Sequence, residues 1–303
     1  MYIVFLGTSG TMPTKTRNAP AIALKYDGEL MLFDCGEGTQ RQLLKAGLGL
    51  GVSKIFITHI HGDHVLGVPG LLQTFSVLCR EKPLEIYGPP GIRHFLELVV
   101  DALRMELCYD LHVYEVKSGT ILETKRYKVV CVPVEHNIEA LAYAFIEKDR
   151  PGKFHPDRAL KLGVPRGPLW KKLQEGVPVT LPDGRTIRPE EVVGPPRPGR
   201  KIVYSGDTRP CDSVIKLAQN ADVLIHEGTF SSKLKDLAHE SGHSTVEDAA
   251  KIAKEANVKK LVVVHISPRH QGEDIRILEE ECRSVFKNSI IAYDLFTLEV
   301  TYP

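Results

Sequence analysis

Phe56 to Gly67 reads FITHIHGDHVLG and places His59, His61, Asp63 and His64 within six positions. Four ionisable side chains this close repel or shift one another unless a cation lies among them. The preceding run KIFIT is rich in β-branched and aromatic residues, so the cluster begins where a buried strand ends. Alternate residues on an extended segment point the same way, which lets His59 and His61 reach one ion together. Asp63 and His64 follow Gly62, where the chain can turn, and face a neighbouring ion. Three further residues follow apolar runs: His136 behind YKVVCVPV, Asp207 closing KIVYSGD, and His265 in KKLVVVHIS. Strand ends are where layered α/β folds assemble sites. Seven such ligands exceed the need of one tetrahedral ion, and Asp207 has two oxygens with which to bridge. This predicts two ions about 3.5–4 Å apart. The donor types suit zinc, and also manganese or iron. A water between two such ions loses its proton near neutral pH and becomes a nucleophile. His226 and Glu227 after DVLI, with His243 in SGHST, form a candidate acid–base group.

These residues need a scaffold, and the rest of the chain describes one. YIVFLG opens it as a strand. AIALKY and ELMLFD flank Asp27-Gly28, a hairpin signal with a tight primed turn. TQRQLLKAG is a short helix ending at Gly47. PLEIYGP, HVYEV, YKVVCVPV and LAYAFIE are strands, and GIRHFLELVVDAL is a helix by its apolar spacing. A similar rhythm returns after residue 200. The strands KIVYSGD, DVLIHEG and KKLVVVHIS alternate with the helices SVIKLAQNA, TVEDAAKIAKEAN and DIRILEEECRSVF. Thr245 is the expected cap of TVEDAAKIAKEAN. Strands and helices mixed over the full length predict a layered α/β fold.

The segment 150–200 differs. Proline and glycine are dense, basic residues outnumber acidic ones about two to one, and the sole tryptophan, Trp170, lies in RGPLWKK. It is too long for an ordinary connection and reads as an inserted functional arm. The formal net charge of the whole chain is +1, so any nucleic-acid contact must come from a local patch. The six cysteines are scattered without a CxxC pair, which predicts reduced thiols and argues against cysteine zinc sites. The opening MYIVFLG is too short for a signal segment, and no run nears the roughly 18 apolar residues of a membrane span. A cytoplasmic protein without membrane contact is expected.

At THIHGDH the chain resembles the metallo-β-lactamase superfamily, whose signature is HxHxDH, and His136, Asp207 and His265 follow in the order of its later motifs. The resemblance implies an αββα sandwich over 1–303, with the arm at 150–200 inserted. That superfamily is chemically broad. Narrower motifs point to one family. PTKTRN (Pro13–Asn18) is similar to the PxKxRN loop of ribonuclease Z, the tRNA 3′-processing endonucleases. FDCGEGTQRQL, SGDTRP, HEGTF and GHST resemble that family's other motifs in order. HEGTF carries Gly228 where HEAT is the commoner wording.

The resemblance implies a metal-dependent endoribonuclease that cuts precursor tRNA 3′ of the discriminator nucleotide. The products are a tRNA 3′-hydroxyl and a trailer 5′-phosphate. It implies two zinc ions per subunit, with manganese or another divalent ion as substitute. His59, His61 and His136 hold one ion, Asp63, His64 and His265 the other, and Asp207 bridges. Asp63 also orients the attacking water and takes its proton. His243, steadied by Glu227, donates a proton to the leaving oxygen. His226 is either a support or a proton carrier. Lys15, Arg17 and Asn18 are expected at the acceptor end of tRNA. Lys153, Arg158, Lys161, Arg166, Lys171 and Lys172 on a flexible arm (exosite) are expected at its phosphates. The family also implies a homodimer in which one subunit's arm presents tRNA to the other's site. Asp34, Gly36 and Glu37 are expected to shape the loop beneath the site, with Glu37 capping the helix at Thr39. Two other readings stand beside this one. The first is a hydrolase of the same fold acting on another phosphodiester, a sulfate ester or a thioester. The second is a non-catalytic RNA-binding protein.

Overall fold

A computed structural model of the chain describes residues 1–302. The chain forms two compact units, one of 1–124, 128–146 and 201–301, the other of 125–127, 147–200 and 302. The strands are β1 (Tyr2–Gly7), β2 (Ala21–Tyr26), β3 (Glu29–Phe33), β4 (Val52–Phe56), β5 (Leu84–Gly88), β6 (Leu111–Glu115), β7 (Gly119–Glu123), β8 (Tyr127–Pro133), β9 (Leu141–Glu147), β10 (Val179–Thr180), β11 (Thr186–Ile187), β12 (Lys201–Tyr204), β13 (Val223–Glu227), β14 (Leu261–Val264), β15 (Ser289–Ile291) and β16 (Thr297–Glu299).

In the first unit the order β16-β1-β2-β3-β4-β5-β6 makes one sheet and β15-β14-β13-β12-β9-β8-β7 another. Strands β3 to β6 run parallel, as do β12 to β15. The inner strands β3, β12 and β14 are buried on both faces apart from the first residue of β3 and of β12, so they read as near-continuous apolar runs. The two faces nonetheless carry different residues. In the first sheet Val4, Leu6, Ala21, Ala23, Leu30, Leu32 and Ile55 pack with the helices Thr39–Lys45, Gly67–Val77 and Ile92–Ala102. The alternate residues face the other sheet, where Phe33 lies 5.2 Å from Phe56, 6.2 Å from Tyr143 and 6.3 Å from Tyr204 between ring centroids. In the second sheet Ala142, Ala144, Val203, Leu224, Leu261 and Val263 pack with Asp212–Ala218, Val246–Glu255 and Glu273–Val285. Aliphatic side chains thus lie under the helices, and aromatic rings help to fill the space between the sheets. The result is the αββα sandwich that the motifs imply.

Local signals held where they were specific. Asp27 (φ 47°) and Gly28 (φ 83°) make the primed turn between β2 and β3. The Thr245 side chain accepts from the Asp248 N–H, and Asp248 answers with a capping box. Glu37 does not cap the helix Thr39–Lys45. Its N-cap is Gly38 in left-handed conformation, without a side-chain bond.

The second unit is a folded body, not an irregular loop. Ala159, Val164, Leu173, Val179, Leu181, Ile187 and Val192 form its own core, with Phe154 and Trp170 packed on it. Its helices Pro156–Lys161, Pro168–Gln174 and Pro189–Val192 each begin with proline. Proline suits the first helical position because its missing N–H would have no partner there. Three of the prolines that mark the segment are therefore its helix starts. Trp170 donates its indole N–H to Val164 O at 3.1 Å and anchors this core. At the base, Arg200 forks onto Glu147 (Nε–Oε2 2.8 Å, Nη2–Oε1 3.0 Å), and the Tyr302 hydroxyl donates to Glu147 at 2.8 Å. The guanidinium carbons of Arg150 and Arg200 lie 3.3 Å and 3.8 Å from the Tyr302 ring centroid.

Candidate active site

The predicted ligands converge, and they do so at the C-terminal ends of strands. His59 and His61 follow β4, and Asp63 and His64 sit in the single turn Gly62–Val65. His136 follows β8, Asp207 follows β12, and His265 follows β14. His59, His61 and His136 form one group of candidate ligands, and Asp63, His64 and His265 another. In the first, His61 Nδ1 lies 3.0 Å from His59 Nε2 and 3.2 Å from His136 Nε2. In the second, Asp63 Oδ2 is 3.5 Å from both His64 Nε2 and His265 Nε2. Asp207 Oδ2 stands between the groups, 3.7 Å from His59 Nε2, 3.3 Å from His64 Nε2 and 3.1 Å from His265 Nε2.

The outer nitrogens show which way each ring is set. His59 Nδ1 lies 3.0 Å from Thr58 Oγ1, His136 Nδ1 2.8 Å from Gly242 O, His64 Nδ1 2.7 Å from Asp34 Oδ2, and His265 Nδ1 2.8 Å from Thr229 Oγ1. With the Nδ1 proton of each ring donated outward, each Nε2 can offer a lone pair inward. Lone pairs gathered at about 3 Å repel, and a cation is what reconciles them. Among the described residues, His64 Nε2, His265 Nε2 and Asp207 Oδ1 are buried without a hydrogen-bond partner. Such orphans are rare in folded proteins, and here they fit divalent cations.

Electrostatics agrees. Burial and then the neighbouring His64 hold His59 well below the usual histidine range, which keeps it neutral. Burial would also lower His64, but Asp207 and Asp34 outweigh it and hold His64 well above that range, so these carboxylates favour a positive charge at His64 Nε2, whether a proton or the cation that would replace it. Burial opposes ionisation of Asp207, and His265 and His64 more than reverse this.

Glu227 ends β13 and joins the site from behind. Its Oε1 accepts from His243 Nδ1 and from Thr208 N, both at 2.9 Å, and its Oε2 from the Thr229 hydroxyl at 2.6 Å. Burial would lower His243, but Glu227 and Asp207 raise it to about 9. His226 is not brought to the cluster. Strand alternation puts it on the helix-facing side with Leu224, while Glu227 faces the site. It is buried, and its Nδ1 lies 2.7 Å from Glu227 O. The departure at Gly228 has a packing cause. A Cβ there would lie 2.4 Å from Val263 Cγ1 and 3.0 Å from Val246 Cγ1.

The loop Pro13–Asn18 borders the cavity. Lys15 is exposed. Arg17 instead turns inward, its Nη1 donating to Thr8 Oγ1 at 2.7 Å and to Ala292 O at 2.6 Å. Asn18 Nδ2 donates to Glu37 O at 2.7 Å. On the second unit, Lys153, Arg158, Lys161, Arg166, Lys171 and Lys172 are all exposed.

Sequence reasoning underrated Asp34. It is fully buried after β3 and gathers Thr58 N (2.7 Å), the Thr58 hydroxyl (2.9 Å), the Tyr204 hydroxyl (2.8 Å) and His64. An acid closing a strand was the available signal, as it was for Asp207. Thr11 was also missed. Its N–H donates to Asp63 Oδ2 at 2.9 Å. Thr11 (φ 62°), Asp34 (φ 56°) and His265 (φ 59°) all hold left-handed backbone.

Comparison with known proteins agrees with this geometry. Residues 1–150 match a family profile described as anti-Pycsar protein Apyc1, and residues 177–266 one described as a beta-lactamase superfamily domain. The chain is 49% identical to Ribonuclease Z of Methanosarcina acetivorans over 99% of its own length and 98% of the relative's. It is 45% identical to Ribonuclease Z of Myxococcus xanthus over 98% and 97%. Among solved structures, the short form of human tRNase Z superposes with a TM-score of 0.74 at 30% identity, covering 99% of this chain and all of that one. Sequence and fold together place the chain in the ribonuclease Z family.

Proposed function

We propose that the protein removes the 3′ trailer from precursor tRNA, cutting the phosphodiester 3′ of the discriminator nucleotide. The products are a tRNA 3′-hydroxyl and a trailer 5′-phosphate. Seven inward-facing donors, three of their atoms buried without a partner, carry the metal-dependent part of this reading. Near-half identity to ribonuclease Z proteins along the whole chain supports the substrate.

Two divalent ions, zinc by donor type, would fit this set: His59, His61 and His136 would hold one, Asp63, His64 and His265 the other, with Asp207 able to serve both. Bound divalent ions supply an acidified water and neutralise phosphate charge. Asp63, held by the Thr11 N–H, orients that water and accepts its proton. His243, charged at neutral pH with its Nδ1 on Glu227, offers its Nε2 proton to the departing 3′ oxygen. His226 holds the Glu227 backbone and moves no proton. Lys15 meets the acceptor end, while Arg17 and Asn18 hold the loop that presents it. The six exposed basic residues of the arm contact tRNA phosphates. The active form is a homodimer in which each arm serves the other subunit, and it works in the cytoplasm, where precursor tRNA is the substrate. No helix among the described residues is long and apolar enough to cross a membrane.

The deciding experiment incubates the zinc-loaded chain with precursor tRNA carrying a 3′ trailer and maps the cut. A single cut after the discriminator nucleotide is expected. An uncut precursor beside rapid hydrolysis of a thioester or a sulfate ester would overturn the reading. A chain without residues 152–198 should lose tRNA cleavage yet still turn over a small phosphodiester. Equal loss of both would make the arm structural only.

A further inference from the structure

The cavity at the site has a volume of about 610 Å³, and part of its wall is built from side chains that the mechanism leaves unused. Met12 and Leu66 are 57% and 54% exposed, two large apolar groups left in water at the mouth of a polar centre. Backbone bonds hold both in place. The Ser9 hydroxyl donates to Met12 O at 2.7 Å, and Met12 N donates to Gly10 O at 2.6 Å. Leu66 N donates to Gly62 O at 3.0 Å, at the junction of two helices. Glu37 shares this wall and is exposed. Asn18 holds its backbone oxygen, while its carboxylate has no partner among the described residues.

A carboxylate in a cavity that receives a phosphodiester repels the phosphate oxygens. Its favourable partner there is an N–H donor. Unpaired nucleobases offer such donors on their edges and apolar surface on their faces. We infer that Met12, Leu66 and Glu37 receive the unpaired nucleobase beside the scissile phosphate. The base face packs on Met12 and Leu66, and an exocyclic amine donates to the Glu37 carboxylate. The wall is continuous with Asp63, Asp207 and His243, so a base in it adjoins the reacting phosphate. This inference rests on the ribonuclease reading above and adds which part of the RNA the site reads.

The test uses the zinc-loaded full chain in single-turnover cleavage of precursor tRNA. Two further RNAs carry an abasic residue directly 5′ or directly 3′ of the cut, and another carries purine in place of adenine at the sensitive position. The wild type should slow about tenfold on one abasic RNA, the scale of one base contact. The double variant Met12→Ala/Leu66→Ala should cut the intact precursor more slowly and show no further loss on that abasic RNA. Glu37→Ala, which removes the acceptor, should lose the preference for adenine over purine while keeping its sensitivity to the abasic residue. Thermal unfolding verifies that each variant is folded. Independent, multiplicative losses from variant and abasic residue, or no abasic effect at either position, would overturn the inference alone. A wild type that leaves the intact precursor uncut would sink the ribonuclease reading, and this inference with it.

Discussion

Replacing Asp34 by asparagine removes one charge and almost no volume, yet it should cripple the site. The carboxylate accepts on both oxygens: Thr58 N and the Thr58 hydroxyl on Oδ1, His64 Nδ1 and the Tyr204 hydroxyl on Oδ2. An amide has one acceptor. If its NH2 faces Thr58 N, two donors meet in a fully buried place, at about 1–3 kcal/mol. If its NH2 faces His64, Tyr204 can rotate its hydroxyl to accept, but His64 Nδ1 must lose its proton. The imidazole then carries that proton on Nε2, the atom 3.3 Å from Asp207 and 3.5 Å from Asp63. A protonated Nε2 has no lone pair for a metal. Loss of such an outer partner typically weakens metal affinity or activity about 10–100-fold. Competition with a chelator measures the affinity, single-turnover tRNA cleavage the rate, and thermal unfolding the integrity of the variant. Asp34→Asn that binds zinc and cuts tRNA as the wild type does would refute the reasoning about the His64 tautomer.

Glu227→Gln should move the alkaline limb of the pH–rate profile to lower pH. Glu227 is what raises His243 to about 9 against the opposing effect of burial, so without its charge the acid deprotonates sooner. An unmoved limb would mean that His243 is not the proton donor. Gly228→Ala should cost about 1–3 kcal/mol in urea unfolding through overpacking against Val263 and Val246. Adding Val263→Ala should restore part of that stability, and strictly additive costs would contradict the contact. Burial would raise the Glu147 carboxyl, but Arg200 and Tyr302 outweigh it and lower it to about 2. A depressed folded-state value stabilises above the ordinary glutamate range, and the contribution fades as pH falls from about 4.5 through about 2. The full effect is roughly 3 kcal/mol. Acid titration of stability in Glu147→Gln should therefore be flatter in that window, and an unchanged slope would rule out the Arg200–Glu147–Tyr302 cluster as its source.

The parts of the site legible in the sequence were those encoded locally. His59, His61, Asp63 and His64 announce themselves because the chain itself crowds them. His136, Asp207 and His265 were reachable because apolar runs mark strand ends and parallel strands deliver those ends to one edge. Asp34 was expected only to shape the loop, because its hold on His64, 30 positions on, and on Tyr204, 170 positions on, is made by the fold. His226 and Glu227 looked like one unit, yet period-two alternation sends neighbours to opposite faces, and only Glu227 reaches the site. Arg17 was placed at the acceptor end of tRNA by the PTKTRN motif, whereas its guanidinium ties the loop to Thr8 and Ala292. In the arm, the length of the segment marked an insertion, but its fold stayed hidden until Pro156, Pro168 and Pro189 proved to begin helices.

Thr11, Asp34 and His265 hold left-handed backbone, which costs a residue with a Cβ roughly 1–2 kcal/mol. Glycine would relieve it, but Asp34 and His265 are needed for their side chains. Strain of this kind persists only where surrounding structure imposes it. Its source here is the sandwich, since Asp34 directly follows β3, His265 directly follows β14 and Thr11 lies four residues beyond β1. The ligand geometry is therefore set by the sheets before any ion arrives. On heating, the site should not loosen loop by loop ahead of the rest. It should keep its shape until the two sheets part, and then vanish with them in one cooperative step.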